Sequence, residues 1–204
     1  MSPKEEEHLA WRVCNGTTIF LDIANDRYFR LSSEIDEDFQ RKTLEKGAGY
    51  WRQPAYLPRP SAWREASTAF DMEHHSGFSL SGVAAALWIQ RRVERRLAER
   101  GLQCVLREIG GIRTTDQMPT SNFEKLHSII GAFEQARLLR TAADRCLPRS
   151  IALFTLLASA GIHSELVIGV RNEPFGAHCW TQNGAVVLND TVEEVRRYEP
   201  ILVI

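Results

Sequence analysis

The sequence lacks the features that define several common classes of protein. Its 25 Lys+Arg and 26 Asp+Glu residues give a net charge of −1, so it has no cationic excess to bind nucleic acid by counterion release. Its most apolar run, Ile151 to Ile162, is shorter than the roughly 20 residues that cross a bilayer. The first residues are acidic and polar, unlike a signal peptide. We expect a cytoplasmic protein with no nucleic-acid partner and no membrane insertion.

Motifs for disulfides, metals and nucleotides are also missing. The 4 cysteines have no CxxC spacing, which argues against a disulfide framework or a zinc ribbon. His74 and His75 are adjacent but have no evident third ligand, and we predict no metal site. The phosphate-loop pattern GxxxxGK[ST] does not occur. We therefore predict that this chain binds no cofactor of its own.

The N-terminal part predicts a small β-meander. Asn15-Gly16 separates two β-prone runs, Leu9 to Cys14 and Thr17 to Ile23, and Asn-Gly is the strongest short signal for a hairpin. A third strand is expected at 27–31, and a helix from about Ser33 to Lys46. An edge strand in such a meander could bind an extended peptide through its main chain.

The chain then divides at a stretch rich in glycine and proline, 47–61. We predict one domain over 1–75 and a second over 76–204. Helical periodicity at Ala86, Ile89, Val93 and Leu97 predicts a helix in the second part. Another is expected at about 121–141.

The most informative residue is a cysteine at the predicted start of a helix. Pro148 favours the first turn of a helix and Gly161 a C-terminal stop, so Cys146 lies at the positive end of the helix dipole. That position lowers the pKa of a thiol and suits a nucleophile. Taken alone, a cysteine such as Cys146 is more often a small buried residue than a nucleophile.

A predicted hairpin follows, with His178 on one strand and Asp190 at the end of the next. Thiol, imidazole and carboxylate in this order match a nucleophile, its base and the group that orients the base. A three-residue loop at 182–184 would place His178 and Asp190 on one face, and we predict that register or an equivalent bulge. A two-residue turn at Asn183-Gly184 would make Asn189 the orienting residue instead.

Several segments together resemble a known family. Those that carry the resemblance are Cys146-Leu147-Pro148-Arg149-Ser150, Leu166 to Arg171, Pro174-Phe175, His178-Cys179-Trp180 and Asn189-Asp190. They are similar to the transglutaminase-like domain of lasso-peptide B proteins, which are leader peptidases. Cys179 departs from the small residue that usually follows the histidine. The N-terminal part matches the family's peptide-recognition domain more loosely.

The resemblance implies a fold and a function. The fold class is α+β, with a small three-stranded meander and helices (a winged-helix-like recognition domain) before a transglutaminase-like, papain-like α+β domain. The function implied is a cysteine peptidase with the triad Cys146, His178 and Asp190. It would bind the leader segment of a precursor peptide and remove it before a partner cyclase, of the asparagine-synthetase-like type, closes the macrolactam. The ATP dependence of the family is assigned to that cyclase.

We expect the leader to contact the third strand. Tyr28 and Arg30 would face the peptide while Phe29 and Leu31 pack inward, and Trp180, on the same face of its strand as His178, would wall the active site. The alternative for the meander is a purely structural role, in which it only packs against the second part. Two other functions remain open: an acyltransferase or transglutaminase with the same triad, and a non-catalytic peptide-binding chaperone.

Overall fold

The computed structural model describes residues 7–45, 47, 49–61, 63–71, 79–112, 123–139 and 145–204. The helices are α1 (Ser33–Glu45), α2 (Leu80–Gly110), α3 (Phe123–Leu139), α4 (Cys146–Ser159) and α5 (Val192–Val195). The strands are β1 (Leu9–Cys14), β2 (Thr17–Asp22), β3 (Arg27–Arg30), β4 (Trp51–Arg52), β5 (Thr68–Ala69), β6 (Glu165–Arg171), β7 (Gly176–Asn183), β8 (Val186–Val187) and β9 (Glu199–Val203). The α+β fold class is confirmed.

The strands form two sheets. The first has four strands in the order β3-β2-β1-β4, all antiparallel. The second has five strands in the order β5-β8-β7-β6-β9, with β5 parallel to β8 and the other pairs antiparallel. The predicted meander is therefore present, and β3 is an edge strand of its sheet.

The meander is covered on both faces. Phe20 stacks on Phe29, with ring centroids 5.0 Å apart, and meets Phe39 of α1 at 5.1 Å. On the opposite face, Ile19 and Leu21 are fully buried and belong to the same core cluster as residues of α2, α4 and β6. One hydrophobic core thus extends from the meander into the rest of the chain.

The proline-rich stretch connects the two sheets. The indole N–H of Trp51 donates to the carbonyl of Ile201 at 3.0 Å. The Gln53 side chain both donates to Val203 O, at 2.9 Å, and accepts from Val203 N, at 3.1 Å. The residues at the predicted domain boundary, 75–76, lie outside the described residues, so the division into two domains stays a prediction.

The helices pack around the second sheet. α2 is kinked at Gly101, where φ is 75° and ψ 167°, and it continues to residue 110 through a stretch whose structure the sequence pattern leaves open. The buried face of α4 packs against β7 and β6, which brings the first turn of this helix beside the middle of β7. Within the described residues, no helix combines the length and apolar character that a membrane span requires.

Candidate active site

Cys146 is the first residue of α4, as the sequence predicts. The backbone N–H groups of Leu147 and Cys179 and the ring of His178 all hydrogen-bond to its thiol. Burial by itself would raise the pKa of this half-buried thiol, but the hydrogen bond and charge of His178, with the two amides, outweigh burial and lower it. Cys146 is therefore prepared to form a thiolate.

His178 lies between the thiol and a carboxylate. Its Nε2 is 2.7 Å from Oδ2 of Asp190, which leaves Nδ1 as the ring nitrogen that faces Cys146. Burial lowers the pKa of His178, but the hydrogen bonds to Asp190 and Cys146 more than compensate and raise it to about 9. The ring is therefore held as an imidazolium over the neutral pH range, beside a thiol whose pKa is lowered.

Asp190 completes the triad and stays ionised. Burial raises its pKa, while the hydrogen bonds from His178 and from the Thr191 amide, the latter 2.8 Å long, lower it below its usual value. The structure thus brings thiol, imidazole and carboxylate together, and their catalytic role stays a prediction.

The predicted hairpin register is wrong. Gln182 pairs with Val187 and Asn183 with Val186, so the turn consists of Gly184 and Ala185 rather than of residues 182–184. Regular alternation in this register would turn Asp190 away from His178. β8 ends at Val187, however, and the Thr181 amide donates to the side-chain Oδ1 of Asn189 at 2.8 Å.

Because the strand ends at Val187, Asp190 no longer follows the alternation of β8 and can reach the His178 ring. Asp190 therefore contacts His178 although the turn has only two residues. The alternative in which a turn at Asn183-Gly184 makes Asn189 the orienting residue does not arise, because the turn lies at Gly184-Ala185. The side chain of Asn189 is instead buried against α4, where its Nδ2 donates to Ser150 Oγ at 2.9 Å.

Two aromatic rings flank the imidazole. The Trp180 ring is nearly parallel to that of His178 at 6.1 Å, and the Tyr198 ring lies at 5.2 Å. Trp180 is 2% exposed, so it supports His178 from within the core, and its predicted contact with substrate remains a prediction. Tyr198 was missed in the sequence because no pattern links it to the triad.

A glycine makes room for these rings. A Cβ on Gly169 of β6 would lie 2.8 Å from both the Trp180 ring and the Tyr198 Cβ, closer than real contacts allow. Only a residue without a side chain fits at Gly169, because Trp180 and Tyr198 approach the strand so closely there.

The predicted peptide-binding strand lies close to this site. A cleft of about 350 Å³ lies beside β3 and is lined by Tyr28, Phe29, Arg30 and Phe175. Phe175 precedes His178 by three residues. Burial is the main cause that raises the pKa of Tyr28. Leu31 follows β3 and is half-buried.

The two faces of β3 have different neighbours. Phe29 packs on Phe20, as predicted. Tyr28 packs against the core and its ring lies 5.7 Å from that of Phe175, while Arg30 donates to Asn172 Oδ1 at 2.8 Å. The face of β3 that was expected to meet the peptide therefore contacts the second part of the chain. The side of β3 that stays available to a peptide is its outer edge in the sheet.

The described residues also bear on the expectation of no metal site. In the part of the chain that the structure describes, no three His, Cys, Asp or Glu side chains are grouped as metal ligands. His74 and His75 lie outside the described residues.

A helix that presents a thiol to a histidine–carboxylate pair on an antiparallel sheet defines the class of transglutaminase-type and cysteine-protease-type folds. The model of the transglutaminase-like superfamily matches residues 87–203, and the chain belongs to this superfamily. It is also similar to the microcin J25-processing protein McjB of Escherichia coli, with 49% identity over 45 residues. That segment is 22% of this chain and 22% of McjB, so the chain spans about a fifth of the length of this relative. The resemblance to lasso-peptide B proteins is thereby confirmed, while no solved structure matches the chain.

Proposed function

We propose that this protein is a cysteine peptidase that removes the leader segment from a ribosomally made lasso-peptide precursor. The observation that carries the proposal is the connected triad of Cys146, His178 and Asp190, with Nε2 and Oδ2 2.7 Å apart. The similarity to a processing protein supports the choice of substrate class.

The triad suits acyl transfer from a peptide bond. The Cys146 thiolate attacks the scissile carbonyl, and the helix-start amides can stabilise the oxyanion. The His178 imidazolium then gives its proton to the leaving amine, which departs as the new N-terminus of the core peptide. Water, deprotonated by the now neutral His178, attacks the thioester. The leader leaves as its carboxylate, and the Cys146 thiolate and the His178 imidazolium are restored.

The edge of β3 is the proposed leader site. An extended peptide that adds to this edge gains main-chain hydrogen bonds from the strand and side-chain contacts from the adjacent cleft. Tyr28 lines that cleft and contacts Phe175, three residues before His178, so a peptide bound along β3 would lie beside the segment that leads to the triad. This proximity favours a binding role over a purely structural one.

The freed amine is the group a cyclase needs to close a macrolactam. We propose an asparagine-synthetase-like cyclase as the partner and assign any ATP requirement to it. A cytoplasmic location belongs to the same proposal. Cleavage by this chain alone in the absence of ATP would separate its step from that of the cyclase.

The test uses a small precursor peptide of the lasso-peptide type as the substrate. The full chain should convert it to leader and core fragments, and Cys146→Ala should lower the rate about a thousandfold or more while leader binding persists. Cys104→Ala is the matched control, because Cys104 is also half-buried but bonds to Glu108.

Mass spectrometry of the products separates the other functions. An amide product formed with an added amine would identify an acyltransferase or transglutaminase. Tight leader binding without any Cys146-dependent product, with the cyclase present, would identify a binding chaperone and refute the peptidase.

A further inference from the structure

We propose that Asn189 is a positioning residue for the triad, which fixes the backbone of Asp190 and so aligns the carboxylate with His178. The inference rests on the proposed function, since it assigns a role within the same site. It follows from where the hydrogen bonds of Asn189 go.

Asn189 is held at three points although it is outside any strand. Its Oδ1 accepts from the Thr181 amide at 2.8 Å, and its Nδ2 donates to Ser150 Oγ at 2.9 Å. Its main-chain oxygen accepts from the guanidinium of Arg149. Asn189 is 5% exposed, and these bonds fix both its side chain and its backbone.

The same bonds continue to the strand that carries His178. Ser150 Oγ donates to the Cys179 carbonyl at 2.8 Å, and Thr181 Oγ1 donates to the Ser150 carbonyl at 3.0 Å. Ser150 and Thr181 are fully buried. We call Arg149, Ser150, Thr181 and Asn189 the clamp.

The clamp connects the first turn of α4, which carries Cys146, to the residues next to His178 and Asp190. Arg149 and Ser150 follow Cys146 by about one turn of α4. They bond directly to Asn189 and Cys179, the immediate neighbours of Asp190 and His178. A shift of any one element therefore strains bonds to the others, and buried networks of this kind specify one arrangement.

The position of Asp190 makes Asn189 the decisive member. β8 ends at Val187, and the bonds of Asn189 take over from the ladder immediately before Asp190. If they are lost, Asp190 can move, the imidazolium loses its partner and Cys146 loses the cation that stabilises its thiolate. The reactivity of Cys146 should then respond to a residue that never touches it.

The test measures how fast iodoacetamide alkylates Cys146 in the full chain between pH 4 and 10. Relative to wild type, Asn189→Ala should slow the reaction at pH 6 at least tenfold and move its inflection toward that of an ordinary thiol. Asn172→Ala is the matched control, because Asn172 is 6% exposed and bonds to Arg30 and Thr17 rather than to α4. It should stay within twofold of wild type.

Three further variants exclude a merely structural effect. Asn189→Asp keeps an acceptor for the Thr181 amide but loses the donor to Ser150, and it should react at a rate between wild type and Asn189→Ala. Asn189→Ala and Ser150→Ala should also be non-additive, with the double variant no slower than the slower single one. If Asn189→Ala does not fold, the Asn189→Asp profile decides.

A wild-type profile in a folded Asn189→Ala, or in Asn189→Asp if Asn189→Ala does not fold, would overturn the inference. Failure of the proposed function looks different. If wild type cleaves no peptide but Asn189→Ala still changes the Cys146 profile, the clamp stands and the peptidase proposal falls. If the precursor is cleaved and these profiles are unchanged, the peptidase stands and the clamp falls.

Discussion

The chain contains two Asn-Gly hairpins that fold differently. At Asn15-Gly16 both residues have positive φ, 48° and 77°, and Cys14 pairs with Thr17 across a two-residue turn. At Asn183-Gly184 the turn moves by one residue, so that Asn183 pairs with Val186. The same dipeptide therefore gives a locally determined hairpin in the meander and a displaced one beside the triad.

Tertiary hydrogen bonds account for the displacement. The Asn183 side chain donates to the His163 carbonyl at 2.7 Å, and the Gly184 amide donates to Glu165 Oε2 at 3.1 Å. These bonds hold Asn183 in the strand and leave Gly184, with φ 56°, to begin the turn. At the first turn, the Gly16 carbonyl also accepts from the Gln40 side chain, yet the Asn-Gly pair keeps its two-residue turn. The comparison teaches that the local Asn-Gly signal is overridden where a tertiary bond holds the asparagine itself in the strand, as at Asn183.

The largest effect expected in this comparison is a loss of kcat, without loss of leader binding, when the hairpin beside the triad is altered. Asp190→Asn should lower kcat by about a hundredfold or more, the usual range for general acid–base groups, and leave the Kd of the leader unchanged. His178 must donate a proton, so kcat/KM of wild type should fall as the pH rises through about 9, the raised pKa of this ring. Loss of the carboxylate should move that fall to lower pH.

The measurement is a pH series of precursor cleavage, with leader binding measured separately by titration. Asp38→Asn is the matched control, since Asp38 is on α1 and forms ion pairs with Arg41 and Lys42. An Asp190→Asn variant with wild-type kcat and the same alkaline limb would contradict the assigned triad.

A smaller effect of the opposite kind is expected in the meander. Tyr28→Ala should weaken leader binding about tenfold, the cost of losing an aromatic anchor, because the ring lines the cleft beside β3. Tyr28→Phe, which keeps the ring, should bind nearly as wild type. Titration of the leader into the full-length Cys146→Ala background measures both, and equal Kd values for all three chains would remove Tyr28 from the site.

The two regions also differ in how far sequence could specify them. Cys146 at a helix start follows from Pro148, because proline fits the first turn of a helix. The edge position of β3 follows from the order of the strands. The distant contacts of Tyr198 and Asn189 leave no periodic trace, since each depends on which elements pack together.

The orientation of β3 also could not be predicted fully from the sequence. Alternation predicts that Tyr28 and Arg30 share a face. It does not say which partner that face meets. The contacts with Phe175 and Asn172 arise only when the meander packs on the second sheet. Residue types and local order are thus readable from the sequence, whereas register and facing depend on tertiary contacts.

The smallest expected effect tests the local hairpin. Gly16→Ala places a side chain at φ 77°, which should cost about 1 kcal/mol of stability and leave kcat unchanged. Chemical denaturation measures the free energy of unfolding, and Gly111→Ala, at an ordinary negative φ of −80°, is the control. A change in kcat without a change in stability would show that the first hairpin also acts on the chemistry.

The central claim is that Cys146 is held as a thiolate by His178 and Asp190, and selective alkylation tests it most directly. At pH 6, iodoacetamide should label Cys146 at least tenfold faster than the half-buried Cys104, and unfolding in denaturant should abolish the difference. If Cys146 in the folded chain reacts no faster than Cys104, the thiolate–imidazolium pair, and the peptidase mechanism built on it, would be contradicted.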